Sequence, residues 1–371
     1  MTNRCGSPEP TGTRGAERAG AGRGISLALG GGGARGLAHI GVLQVLEREG
    51  LAPGFIAGTS MGGLIGALVA SGLCAAEILR LARRFRFPRW FIPGGLLAWD
   101  RLFPGVADQL PPSFDRLSTP LALSAVDLEE GCPVVLDQGI LLPAVRASCA
   151  IPGVLAPERI EGRWMVDGGV VNVVPVDLAW IADPDLVVAV RIGGPRVRRM
   201  PQLGWRVTKL LSRLGGAMPN PGTAKMSLEV LTRAVEISLE HQASLCAAMT
   251  DPELWIEPDL GSMGLRDFDC LDAAVAAGRR AALEALPDLG RLLARGPRQS
   301  PERVGRIEYC RDPVCSMVVP PQRARATSMH QGVRYFFCSV NCRDRFVRAP
   351  ARYLRGSDPP EGPPGSGYDP G

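Results

Sequence analysis

The residues best suited to chemistry in this 371-residue chain are Ser60 and its neighbours, Gly58-Thr59-Ser60-Met61-Gly62. An apolar run, Phe55-Ile56-Ala57, precedes them, and a small-residue helical run, Gly63 to Ala76, follows. Strand, sharp turn and helix in that order lift a serine hydroxyl clear of the backbone, and glycines two positions either side let strand and helix approach closely. The helix N-terminus then aims free N–H groups and a positive dipole end at a reacting oxygen. In a chain with 46 glycines the same pentapeptide also arises as an ordinary βα turn, so other residues must decide.

A second stretch has matching chemistry. The apolar strand Ile25-Ser26-Leu27-Ala28-Leu29 runs into Gly30-Gly31-Gly32-Gly33-Ala34-Arg35-Gly36. Consecutive glycines such as Gly31, Gly32 and Gly33 expose N–H groups that converge on one anionic oxygen, as an oxyanion hole or a phosphate nest. No Gly-Lys-Ser/Thr follows, which excludes a P-loop, and Arg35 with the second glycine-flanked turn fits a dinucleotide fingerprint badly. Arg35 is read as pinning the loop or meeting an anionic head group, the alternative being a solvated arginine at a helix start.

A serine nucleophile needs a base, and the chain has only three histidines. His39 falls inside the helix after the glycine loop, and His241 in the helical run Leu228 to Met249. Neither lies in a loop after a late strand, where a Ser-His-Asp triad would place one. Asp167-Gly168-Gly169, after the strand-like Trp164-Met165-Val166, offers a carboxylate instead. A carboxylate is a poor base for a hydroxyl at its free pKa, so the site must desolvate and place it. Asp-Gly is also common turn chemistry.

Taken in order, Gly-Gly-Gly-x-Arg-Gly, then Gly-Thr-Ser-Met-Gly about 25 residues on, then Asp-Gly-Gly, resemble the patatin-like phospholipase family. That family's serine-proline stretch is matched by Ala147-Ser148-Cys149-Ala150-Ile151-Pro152-Gly153, and the resemblance covers about residues 25 to 290. It implies an α/β three-layer sandwich around a largely parallel sheet, with Ser60 as nucleophile and Asp167 as base. It further implies an oxyanion hole at Gly31 to Gly33, with Arg35, Gly36, Gly58, Gly62, Gly168 and Gly169 as motif support. The substrate would be a lipid or other acyl ester, hydrolysed without a cofactor.

The chain's second chemical cluster is Cys310, Cys315, Cys338 and Cys342. Cys338 and Cys342 are spaced i, i+4 to share one helix face, and Cys315 can close a site from a facing turn; such thiolates suit Zn²⁺ or Cu(I). A set of reduced structural cysteines is the alternative, but a unit this small usually needs a metal to fold. The stretch is similar to YHS modules, small and treble-clef-like, although Phe337 and Cys338 follow Tyr335-Phe336 where Tyr-His-Ser would be expected. Cys315, Cys338 and Cys342, with Cys310 as a further candidate, are the expected ligands of Zn or another thiophilic metal.

The elements around these residues alternate between strand and helix patterns, as in an α/β fold with both glycine turns at strand C-termini. Strands are expected at Leu121 to Val126, Pro133 to Leu136, Leu186 to Val190 and Leu254 to Ile256, with a last helix from Leu271 to Ala285. Trp205 to Leu214 has helical spacing and reads as an amphipathic connector, with a lid or surface-binding helix as the alternative. Phe85 to Phe103 holds six of the twenty aromatics interleaved with arginines, which suits either a membrane interface and acyl portal or a cap packed on the core. Residues 1–24, 291–308 and 356–371 read as tail, linker and tail, leaving domains at 25–290 and 309–355.

The totals restrict the partners. A net charge of +5 is too small to argue for nucleic acid, and none is expected, though it is compatible with an acidic membrane surface. Phe55 to Ala76 carries no charge, but its glycines favour a strand and a buried helix over a membrane span. The cysteine pattern without a secretory signal points to the reducing cytoplasm, with peripheral contact at the inner membrane face. The leading expectation is a serine esterase acting on lipid acyl esters. A metal-responsive lipid- or partner-binding regulator with little turnover is the alternative, and acyl transfer to an alcohol a third reading.

Overall fold

The computed structural model describes residues 24–87, 98–129, 131–182, 184–193, 252–295, 310–314, 318–319, 324–337 and 340–354, with isolated positions between 234 and 250. The first eight strands are β1 (Ile25–Leu29), β2 (Phe55–Thr59), β3 (Leu121–Asp127), β4 (Cys132–Leu136), β5 (Glu158–Ile160), β6 (Arg163–Asp167), β7 (Leu186–Val190) and β8 (Leu254–Ile256). They form one sheet in the order β5-β6-β3-β2-β1-β7-β8, with β4 also paired to β3. The pairs from β3 through β2, β1 and β7 to β8 are parallel, whereas β4, β6 and β5 join antiparallel, so the sheet is mixed and mostly parallel.

Every residue of β1, β3 and β7 is buried, as the unbroken apolar runs require of strands covered on both faces. Alternation along β1 sends Leu27 and Leu29 into one apolar cluster and Ala28 into another. The larger cluster holds side chains of α1 (Ala38–Arg48), α2 (Met61–Ala70), α3 (Ala75–Ala82), α4 (Trp99–Leu102), α5 (Leu141–Ser148) and, much later in the chain, the long helix Leu271–Ala294. The smaller gathers α6 (Val176–Ala179) against Ala57, Ala122 and Val187. The long helix becomes α7.

Helix α7 runs nine residues beyond the expected end at Ala285, through Pro287, so the first part of the expected linker is helical. Proline removes one helical hydrogen bond and crowds the preceding turn. Ala282 and Leu289, both buried in the main core, hold the helix on either side of it. The charge-free stretch from Phe55 resolves into β2 and the ten-residue α2, and among the described residues no helix is long and apolar enough to cross a membrane. The expected connector at Trp205 to Leu214 lies outside the described residues, as does most of the helix expected from Leu228 to Met249.

The C-terminal part adds two hairpins and a helix. Strand β9 (Cys310–Arg311) pairs antiparallel with β10 (Val318–Val319), and β11 (Ala326–His330) with β12 (Val333–Phe337), followed by α8 (Val340–Arg348). Val314, Phe337, Cys342 and Phe346 form its buried core, and Cys132 of β4 belongs to the same cluster. An ion pair from Arg311 to Asp137, just past β4, joins the two parts again.

Candidate active site

Strand pairing brings the serine and the aspartate together. β2 runs parallel to β3 and ends with Thr59 opposite Ser124. β6 runs the other way and ends with Asp167 opposite Ala125, the next residue of β3. β4 already occupies the far edge of β3 at both Ser124 and Ala125, so β2 and β6 share the near edge. Two strands approaching head to head along one edge therefore end on adjacent rungs, and the residues that follow or close them, Ser60 and Asp167, meet.

Ser60 Oγ donates a 2.5 Å hydrogen bond to Asp167 Oδ2, within the range of charge-assisted O–H···O⁻ contacts. The serine stands between β2 and α2 at φ 54° and ψ −126°, a backbone region that non-glycine residues rarely occupy. Several contacts hold that bend. Its N–H donates to Ser148 Oγ at 3.2 Å, and its carbonyl accepts from Leu64 N at 2.9 Å and from the Cys149 thiol at 3.2 Å. Gly62 permits the close approach, because a Cβ there would sit 2.2 Å from the Leu29 carbonyl oxygen.

Asp167 is fixed as firmly. Its Oδ1 accepts from Gly169 N at 2.7 Å, and its own N–H donates to Ala150 O at 3.1 Å. A Cβ at Gly168 would lie 2.3 Å from Ser124 Oγ, so only glycine lets the turn lie against β3. Burial pushes the Asp167 carboxyl up to about 7, against the hydrogen bonds from Ser60 and Gly169 that pull it down. Burial, with the nearby Asp167, also raises the Cys149 thiol well above its ordinary value, which keeps that sulfur protonated.

The glycine loop lies across the serine. Gly30 N–H donates to Val190 O at 3.0 Å and Gly31 N–H to Val173 O at 2.8 Å, fastening the loop to the sheet. Of the three expected oxyanion glycines, Gly31 thus has its N–H engaged, while those of Gly32 and Gly33 meet no acceptor among the described residues. Arg35 is buried, with a guanidinium N–H donating to Gly193 O at 3.1 Å, so it pins the loop. Gly36 lies against Met61, the residue after the serine. His39 is wholly buried, its Nε2 is 2.8 Å from Gly30 O, and burial lowers its pKa to about 4. It braces the loop as a neutral ring.

Ser60 opens into a cleft of about 750 Å³, the space at its mouth included. Met61, Phe87, Leu102, Phe103, Ile151 and Leu155 are among the side chains that make its wall largely apolar. Phe85, Trp99 and Phe103 are buried and stack edge-on or tilted against one another, with Phe268 joining Phe103. The described aromatics of this stretch therefore pack as a cap on the core, with Phe87 and Phe103 reaching the cleft; Trp90 and Phe91 lie outside the described residues.

Sequence reasoning assigned no role to Ser148, Cys149 or Ala150 within the matched serine-proline stretch, although all three hydrogen-bond Ser60 or Asp167. It also passed over Leu265 and Arg266 on the cleft wall. Of the expected metal ligands, Cys342 is buried in the first turn of α8 and Cys310 is half-buried on β9. Cys315 and Cys338 lie outside the described residues, and among the described residues no three His, Cys, Asp or Glu side chains gather as a metal group.

The site thus consists of a serine on a strained strand–helix turn, hydrogen-bonded to a buried aspartate beneath a glycine loop. Residues 27–180 match the patatin-like phospholipase family and are such a domain, and residues 310–357 are a YHS domain. An uncharacterized NTE-family protein of Mycobacterium bovis is 37% identical over 182 residues, 46% of this chain and 49% of the relative. Another NTE-family protein, of Mycobacterium tuberculosis, is 32% identical over 299 residues, 73% of this chain and 48% of the relative. The patatin-like phospholipase domain-containing protein 6 of Mus musculus is 27% identical over 275 residues, 68% of this chain and 20% of that protein. The chain thus spans about half the length of the mycobacterial relatives. Among solved structures, VipD from Legionella pneumophila aligns over 72% of this chain and 67% of its own, with TM-score 0.40 and 13% identity.

Proposed function

We propose that this chain is a serine acyl hydrolase that cleaves lipid-type esters through a Ser60–Asp167 dyad. The observation that carries the reading is the 2.5 Å Ser60–Asp167 hydrogen bond opening into an apolar cleft. Ser60 Oγ bonds to the acyl carbon as its proton passes to Asp167 Oδ2, and the electron pair moves onto the carbonyl oxygen. The N–H groups of Gly32 and Gly33 and the N-terminus of α2 hold that oxyanion, each donor worth about 3 kcal/mol in hydrolases of this logic. Collapse expels the alcohol, which leaves with the proton from Asp167. Water then gives a proton to Asp167 and its oxygen to the acyl carbon; the acid is released as Ser60 recovers its proton.

The buried base suits this role. A carboxyl whose pKa is near 7 takes a hydroxyl proton more readily than one near 4, and its proton is returned near neutral pH. The apolar cap would sequester the acyl chain. Hydrolysis of a medium-chain chromogenic ester by the full chain and by Ser60→Ala tests the dyad. A loss of about 10³-fold or more, with tryptophan fluorescence unchanged, is expected. Equal rates in the two proteins would refute it.

In the C-terminal unit Cys310, Cys315, Cys338 and Cys342 are the thiols that would hold a thiophilic metal. A metal-responsive regulator is the second reading, favoured by the packing of this unit on Cys132 of β4, the strand beside β3. Zinc titration of the full chain and of Cys342→Ser tests it, because only the former should bind one equivalent tightly. Esterase rates that do not change with zinc loading would count against metal control of the dyad.

A further inference from the structure

The cleft wall holds one charged side chain among the described residues that line it, Arg266, in surroundings otherwise nearly all apolar. Arg266 is half-buried, which lets its stem lie on the apolar wall while the guanidinium stays accessible to an anion. Yet among the described residues no carboxylate pairs with its guanidinium, and its side-chain partner is the ring of Phe87, with the guanidinium carbon 5.6 Å from the ring centroid. Stacking on an aromatic face leaves the in-plane N–H donors of a guanidinium available to an oxyanion.

The backbone beneath Arg266 is built with care. The preceding Leu265 carbonyl accepts from Ala34 N at 2.8 Å, which stitches this loop to the glycine loop over Ser60. Asp267 Oδ2 accepts from Gly264 N at 2.8 Å, and Phe268 N donates to Arg266 O at 2.9 Å, closing a tight turn. The next side chain, Phe268, is buried against Phe103 of the cap. Arg266 is thus held at a fixed position relative to the glycine loop, half-buried in the cleft wall.

The geometry points to Arg266 as the residue that selects esters with an anionic, phosphate-type head group, its guanidinium binding the head while the acyl chain lies along Phe87, Leu102 and Phe103. This rests on the acyl-ester reading of the cleft but is tested without turnover. Affinities for monolauroyl glycerol and for its glycerol-phosphate counterpart are measured below their micelle concentrations, in full chains carrying Ser60→Ala, either alone or combined with Arg266→Lys or Arg266→Gln. The protein that keeps Arg266 should prefer the phosphate-bearing lipid by about tenfold or more. Arg266→Gln should abolish that preference, Arg266→Lys should keep part of it, and 0.5 M salt should weaken it in the protein that keeps Arg266. An undiminished preference after Arg266→Gln, or binding of neither lipid by any of the proteins, would overturn the proposal. Competition by millimolar inorganic phosphate as effective as the lipid would also overturn it, since the site would then read a free anion. Equal esterase rates in the full chain and in Ser60→Ala would refute the dyad without changing these affinities, so the two readings fail separately.

Discussion

Replacing Asp167 by asparagine removes the ionisable carboxyl but keeps the shape, since the amide oxygen can still accept from Gly169 N–H and the amide nitrogen can donate to Ser60 Oγ. The folded chain should become more stable relative to the parent as pH rises. Burial raises the Asp167 pKa from 3.8 to about 7, so between those values the native state holds a proton that the unfolded chain has released. A group whose folded pKa is raised contributes its stability below the unfolded value and loses it as pH climbs through the folded value. The full separation corresponds to roughly 4 kcal/mol at about 1.4 kcal/mol per pH unit, and relaxation around the buried charge makes about 2–4 kcal/mol the working expectation. Asparagine does not titrate, so the difference between the two proteins should be flat below about pH 4, widen to about pH 7 and level off above pH 8. Other ionisable groups are common to both chains and cancel. Urea unfolding followed by tryptophan fluorescence isolates the part of the chain that holds Asp167, because the last of the six tryptophans is Trp255. A gap that stays constant with pH, or narrows as pH rises, would refute the buried, proton-holding aspartate.

The same group should shape the rate profile: kcat/KM should rise with one ionisation near pH 7 and be about tenfold lower at pH 6 than on the plateau, as stopped-flow or initial-rate assays with an uncharged ester would show. Ser60→Gly should be more stable than Ser60→Ala by about 1 kcal/mol, because only glycine adopts the φ 54° bend without strain; thermal denaturation of the two inactive proteins measures it. Gly168→Ala should destabilise by about 2–4 kcal/mol and abolish activity, since its Cβ would sit 2.3 Å from Ser124 Oγ and must push the Asp167 turn off β3. A stable, active Gly168→Ala protein would mean that the turn is not held against the sheet.

Much of the scaffold is legible because its signals are local. Buried strands such as Ile25–Leu29 and Leu186–Val190 read as unbroken apolar runs, and the two glycine turns mark strand ends. The end of α7 is not legible, because a proline normally stops a helix and only the distant burial of Leu289 shows that packing overrides it here. Nor can spacing reveal which glycine N–H groups remain available: Gly31 is lost to Val173, more than a hundred residues away in the chain.

The encounter of Ser60 with Asp167 lies between these cases. Each motif is visible alone, but the reason they meet is the register of β3, where Ser124 pairs with β2 and Ala125 with β6. A one-residue slip of either strand would turn its side chains to the other face and separate the dyad. That register is fixed by burial on both faces and by close contacts that admit no Cβ, at Gly62 against Leu29 and Gly168 against Ser124. The glycines around Ser60 and Asp167 therefore do more than free the backbone at a turn. They set how near the strands and the helix can come, and the 2.5 Å Ser60–Asp167 distance follows from that approach.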